Sequence, residues 1–143
     1  MIESKICNLR DFLTINSKYI QIILNQVTES SENKSEIHYN NNSKGFNINF
    51  TINYLCNKKE NNIYFCEWYH EKNLKEEFIS FIKDINQTYI EGSSKLFVFI
   101  THKDLKEKID TICEEENIND LSNLKIVYIE DINDSLGGIL NVR

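Results

Sequence analysis

The chain has 143 residues, a formal charge of −6, 41% hydrophobic and 27% charged residues. That is enough apolar material for one domain, 1–143, with its own core, and too much for a disordered chain. The acidic balance works against a generic nucleic-acid binder. No apolar run approaches the roughly 20 residues that cross a bilayer.

The N-terminal stretch Met-Ile-Glu-Ser-Lys-Ile-Cys has no basic-then-apolar leader pattern, so the expectation is a soluble, cytoplasmic protein. Asn8–Thr28 predicts a helix. Leu9, Phe12, Leu13, Ile20, Ile23, Leu24 and Val27 recur at three- and four-residue steps, with polar residues between them. Asn8, with Asp11 three positions on, has the form of an N-cap. Residues 29–34 are a polar connection, Ser35–Tyr39 a short strand, and Asn40–Gly45 an asparagine-rich turn.

Phe46–Cys56 organises the rest. Phe46, Ile48, Phe50, Ile52 and Tyr54 alternate with Asn47, Asn49, Thr51 and Asn53. A strand turns successive side chains to opposite faces, so one face is apolar and the other amide-rich. A slip of one residue would bury asparagines and expose aromatics, which holds the register. The polar face is expected to meet water. Asn57–Asn62 reads as a second turn and Ile63–His70 as a third strand, closing an antiparallel meander.

Asn73–Ile90 predicts a helix on Leu74, Phe78, Phe81, Ile82, Ile85 and Tyr89, with Asn73 and Glu76 placed for a capping box. Lys95–Thr101 carries Leu-Phe-Val-Phe-Ile, a run without alternation that suits a strand covered on both faces. A helix at Asp104–Glu116, a strand at Leu124–Glu130 and a tail with Gly137-Gly138 follow. The expected fold is α/β (or α+β), a mixed sheet of about five strands with three helices in the order αβββαβαβ. Its second half is parallel through right-handed crossovers.

Cys7, Cys56, Cys66 and Cys113 stand singly in or beside apolar runs, as reduced structural thiols do. Phosphate-loop, dinucleotide, nucleophile-elbow and zinc-protease motifs are missing, and no cofactor is expected. Cys66 and His70 share a face of the third strand, but four residues of strand rise put them about 13 Å apart, too far for a nucleophile and its base.

Three residue sets remain as candidates. His70-Glu71, Thr101-His102 and Glu130-Asp131 fall at the carboxyl ends of the last three strands, where open α/β sheets gather sites. His70, His102 and Glu130 there could do acid–base work, and His70 and His102 could hold a metal. Thr101 and Asp104 have the form of ordinary helix caps, which would leave His102 in water. Trp68 and Tyr69 could anchor a partner, because aromatics are enriched at interface centres. From Thr101 onward ten acids stand against five bases, and Glu114, Glu115 and Glu116 could face a basic protein.

The opening αβββαβ order, over about two-thirds of the chain, resembles the core of the restriction-endonuclease-like (PD-(D/E)XK) nucleases. The resemblance implies an acid on the second strand and an acid-x-lysine pair on the third, together holding a hard divalent metal. Here the second strand offers Asn53 and the third offers Glu67-Trp68-Tyr69, with tyrosine in the lysine position. Glu67 is the one carboxylate of that set. The favoured reading is therefore a non-catalytic module binding a protein partner, as an inhibitor, immunity-type factor or accessory subunit. The rival is a metal-dependent hydrolase or nuclease working through Glu67, or through His70, His102 and Glu130, or an inactive relative with a restriction-endonuclease-like core.

Overall fold

The structure, a computed structural model, describes residues 9–41, 48–88, 94–118 and 123–140, without the side chains of 85–88. Its sheet has five strands, β1 (Ser35–Asn41), β2 (Phe50–Cys56), β3 (Lys59–Glu67), β4 (Lys95–Thr101) and β5 (Leu124–Tyr128), in the spatial order of the chain. β1, β2 and β3 pair antiparallel, and β3, β4 and β5 pair parallel. The mixed α/β class read from the alternating and continuous apolar runs is the observed one.

The register of β2 puts Phe50, Ile52 and Tyr54 on one face, where they are buried. Phe50 pairs with Phe65 of β3, and the two rings stack with centroids 4.4 Å apart. Onto this face pack α1 (Leu9–Ile15), α2 (Ile20–Thr28) and α5 (Ile129–Ser135), through Phe12, Leu13, Ile23, Leu24 and Ile132. The opposite face of β3, β4 and β5 is covered by α3 (Leu74–Thr88) and α4 (Lys106–Glu115), through Phe78, Phe81, Ile109 and Ile112. In β4, Val98 and Ile100 serve the first core while Phe97 and Phe99 serve the second. That double covering is why its run shows no alternation. Among the described residues no helix is long and apolar enough to cross a membrane.

The details depart from the sequence reading in several places, among them the ends of β1 and β3, which run to Asn41 and Glu67 rather than Tyr39 and His70. Among the described residues there are five α-helices rather than three. The single helix expected over Asn8–Thr28 breaks at Asn16, whose amide Nδ2 donates to Phe12 O at 3.2 Å while a 3₁₀ turn, Ser17–Tyr19, intervenes. The Phe12 carbonyl still accepts the Asn16 backbone N–H at 2.7 Å, and the break comes where Asn16 leaves the helical region with φ −120° and ψ 61°. The second turn is shorter than expected, only Asn57 and Lys58, both with positive φ (55° and 65°). A two-residue turn of that hand matches strand twist, so pairing runs on to Cys56–Lys59 and the polar residues 59–62 join β3.

β2 begins at Phe50; Ile48 and Asn49 precede it, and Phe46 and Asn47 lie outside the described residues. Asn73 takes φ 61°, away from the extended backbone of a capping residue, so the expected capping box does not form. Asn8 lies outside the described residues. Finally, β5 stops at Tyr128 and the chain turns straight into α5, placing Glu130 on a helix rather than a strand. That helix ends at the glycine pair, where Gly138 N donates to Asn133 O at 2.9 Å with φ 79°.

Candidate functional site

On β3 the two-residue period sets Ile63, Phe65 and Glu67 on the α1 face, and Tyr69 continues the series. Glu67 therefore reaches the start of α1. Its Oε2 accepts the Leu9 N–H at 2.7 Å and its Oε1 the Arg10 N–H at 3.2 Å, while the Tyr69 hydroxyl also donates to Oε2. The first N–H groups of a helix have no partner within it, and a carboxylate satisfies them with the helix dipole in its favour. Burial is the main influence on this carboxyl and raises its pKa, with the three donors opposing.

Beside Glu67, across the meander, stands Asn49. Its Oδ1 accepts the Glu67 N–H at 2.5 Å, and its own N–H donates to Phe65 O at 2.7 Å. Asn53, the residue expected at this place, lies further along β2 and bonds instead to Asn40 and Asn62. The β2 amide face is thus cross-linked across three strands rather than simply wetted.

The strand ends of the parallel half bring His102 and Glu130 together, with Nδ1 3.2 Å from Oε2. The other Glu130 oxygen accepts the Lys103 N–H at 2.8 Å, and the Lys103 ammonium meets Asp131 at 3.1 Å. Glu130 thereby caps the 3₁₀ turn Lys103–Leu105 that leads into α4. Its backbone N-cap is His102, which makes no side-chain cap bond, and Thr101 is fully buried with its hydroxyl unpartnered. The capping roles expected of Thr101 and Asp104 thus fall to Glu130, and His102 is buried rather than solvated, its ring packed 5.0 Å from that of Tyr69.

His70 is not part of this group. It is exposed, and its ring stands edge-on to Trp68 at 5.6 Å. Glu71 pairs with Lys108 at 2.9 Å. Among the described residues no three of His, Cys, Asp and Glu come together as a metal site. Trp68 packs against the α3–α4 core, with its indole N–H on Lys72 O at 3.0 Å, and Tyr69 packs on the opposite core. Glu114, Glu115 and Glu116 are exposed, and Lys75 lies 3.5 Å and 3.7 Å from the latter two. Beside them an open groove of about 490 Å³ runs between α3 and α4, with Leu74 and Ile112 along it and Glu71, Lys75, Glu107 and Lys108 at its sides.

Cys56, Cys66 and Cys113 are free thiols, and burial pushes that of Cys66 well up; Cys7 lies outside the described residues. The chemistry available at the strand ends is therefore hydrogen bonding between carboxylates and the starts of helical segments. Sequence reasoning missed Asn49, Arg10 and Lys103 as partners in it. For Tyr69 the two-residue spacing from Glu67 was a usable signal. For the others there was none, because the contacts join segments far apart in the chain. No protein-family model, no curated protein and no solved structure matches this chain.

Proposed function

We propose that this protein is a non-catalytic, cytoplasmic protein-interaction module, an inhibitor, immunity-type factor or accessory subunit, built on a restriction-endonuclease-like core. The observation that supports the reading is the trio Asn49, Glu67 and Tyr69. At the place where the resemblance calls for two acids and a lysine there is an amide, a carboxylate and a phenol. The carboxylate is bonded to Leu9, Arg10 and Tyr69. A magnesium or manganese ion at such a site is held by one or two carboxylates with free oxygens beside water and substrate phosphate, and the one carboxylate here already accepts three hydrogen bonds from the protein. The acidic α4 and Glu116 add a surface suited to a basic partner.

The test is a titration of Mg²⁺, Mn²⁺ and Zn²⁺ followed by melting temperature, with a nuclease assay alongside. Binding to the native state must raise the melting temperature. The expected result is no rise and no cleavage. Cleavage, or a rise of several degrees that disappears in Glu67→Gln, His102→Ala or His70→Ala, would overturn the proposal in favour of a metal-dependent hydrolase.

A further inference from the structure

The sheet has two edges, and they are built differently. β5 is five residues long, its side chains half-buried or buried, with Lys125 on it paired to Glu29 and α5 following at once. β1 is seven residues long and mostly exposed. An edge strand offers a row of unpaired N–H and C=O groups, and proteins usually guard it with lysine, proline or bulges. β1 has no lysine, and the chain has no proline. Among the described residues its guards are confined to its start, where Glu36 carries a charge and takes φ 48° and the register shifts between Ser35 and His38. Beyond it, His38–Asn41 runs on in register with β2, and Ile37 lies between the bulge and the first regular pair.

This open stretch is fixed in place. Tyr39 donates its hydroxyl to Arg10 O at 2.8 Å and its ring lies 5.5 Å from Phe50, so Ile37 and Tyr39 extend the apolar face to the rim. On the other face an amide ladder runs inward: Asn40 Nδ2 donates to Asn53 Oδ1 at 2.7 Å, and Asn53 Nδ2 to Asn62 Oδ1. Every bonding amide N–H in it points toward β3. The outermost group, Asn40 Oδ1, is an acceptor with no partner among the described residues. In a chain of charge −6, Ile37–Asn41 holds no carboxylate or lysine.

We propose that β1 is a docking edge: an extended, uncharged segment of a partner protein adds to Ile37–Asn41 as a sixth strand. Its apolar side chains lie beside Ile37 and Tyr39, and its amide or hydroxyl donors lie beside His38 and Asn40. Main-chain hydrogen bonds supply the affinity of such strand addition, and the alternate side chains supply the selection. The proposal rests on the protein-interaction reading above and adds to it a surface apart from the acidic α4 and Glu116.

The probe is the synthetic peptide Phe-Thr-Ile-Asn-Tyr-Leu-Ser, a copy of Phe50–Cys56 with the thiol replaced, because β2 already pairs with β1 from its inner side. Amide hydrogen exchange is followed residue by residue on the intact chain. Peptide is expected to slow exchange within Ile37–Asn41 by about tenfold or more, and the edge charges in His38→Lys and Asn40→Lys to abolish the effect. Both positions are exposed, so both variants should stay folded, His38→Lys melting near wild type and Asn40→Lys slightly lower for its lost bond to Asn53. Unchanged exchange at millimolar peptide, or protection at the α3–α4 groove instead, overturns the proposal. Protection that grows with protein concentration in the absence of peptide also overturns it, replacing the partner by a second copy. Failure here leaves the metal titration untouched, so the two readings fall separately.

Discussion

Glu67 and Leu9 are 58 positions apart in the chain and 2.7 Å apart in the fold, the carboxylate on β3 accepting the first described N–H of α1. The one carboxylate that falls at the position the nuclease resemblance points to fastens a helix to the sheet. Removing it exposes the cost directly. Glu67→Ala should lower stability by about 1–3 kcal/mol, through a lost cap and N–H groups left unpaired under the helix. Urea unfolding checks this, with an unchanged denaturant slope expected.

The same carboxyl makes stability depend on pH with a definite sign. Its pKa in the folded protein lies above its ordinary 4.5, so over the window just above 4.5 the folded state binds more protons than the unfolded one. Its contribution therefore declines as pH rises through that window. Glu67→Gln, which does not titrate, should gain on wild type as pH climbs there. Melting curves of the two proteins at stepped pH report the difference. A glutamine variant that loses ground to wild type as pH rises through that window would contradict the assignment.

Glu130 holds both His102 and the Lys103 N–H. Glu130→Ala should cost about 1–3 kcal/mol, because a buried imidazole and a helix-start donor lose their acceptor together. His102→Ala in the Glu130→Ala background should cost less than it does alone. A double-mutant cycle by urea unfolding measures that coupling.

Phe50 is fully buried and stacked on Phe65. Phe50→Ala should cost about 3–5 kcal/mol, as for other buried phenylalanines. The equilibrium unfolding midpoint reads it out. A loss under 1 kcal/mol would mean that the apolar face of β2 is not the base of the first core.

Gly138 closes α5 with φ 79°, and an added Cβ there would meet nothing within 4 Å. The cost of Gly138→Ala is then backbone strain alone, about 1–2 kcal/mol. Gly138→Asn should recover part of it, since asparagine tolerates the left-handed region better. Thermal melts of the two variants give the ranking.

The alternation of Phe50, Ile52 and Tyr54 was enough to name a strand, its buried face and its neighbours, because a period of two survives any tertiary arrangement. The uninterrupted run in β4 likewise declared a strand covered twice. Those are local signals, written in the spacing of apolar side chains, and they determined the α/β class. Where a helix broke, where a turn tightened and where β5 gave way to α5 rested on the backbone angles of single residues such as Asn16, Asn57 and Lys58, which periodicity does not carry. The site lay further out of reach. Which acid caps which helix, and that Asn49 rather than Asn53 stands beside Glu67, depends on segments dozens of residues apart meeting at one strand end. Only the closed fold brings those donors to those acceptors, and so only the fold decided that the strand-end carboxylates hold helices in place.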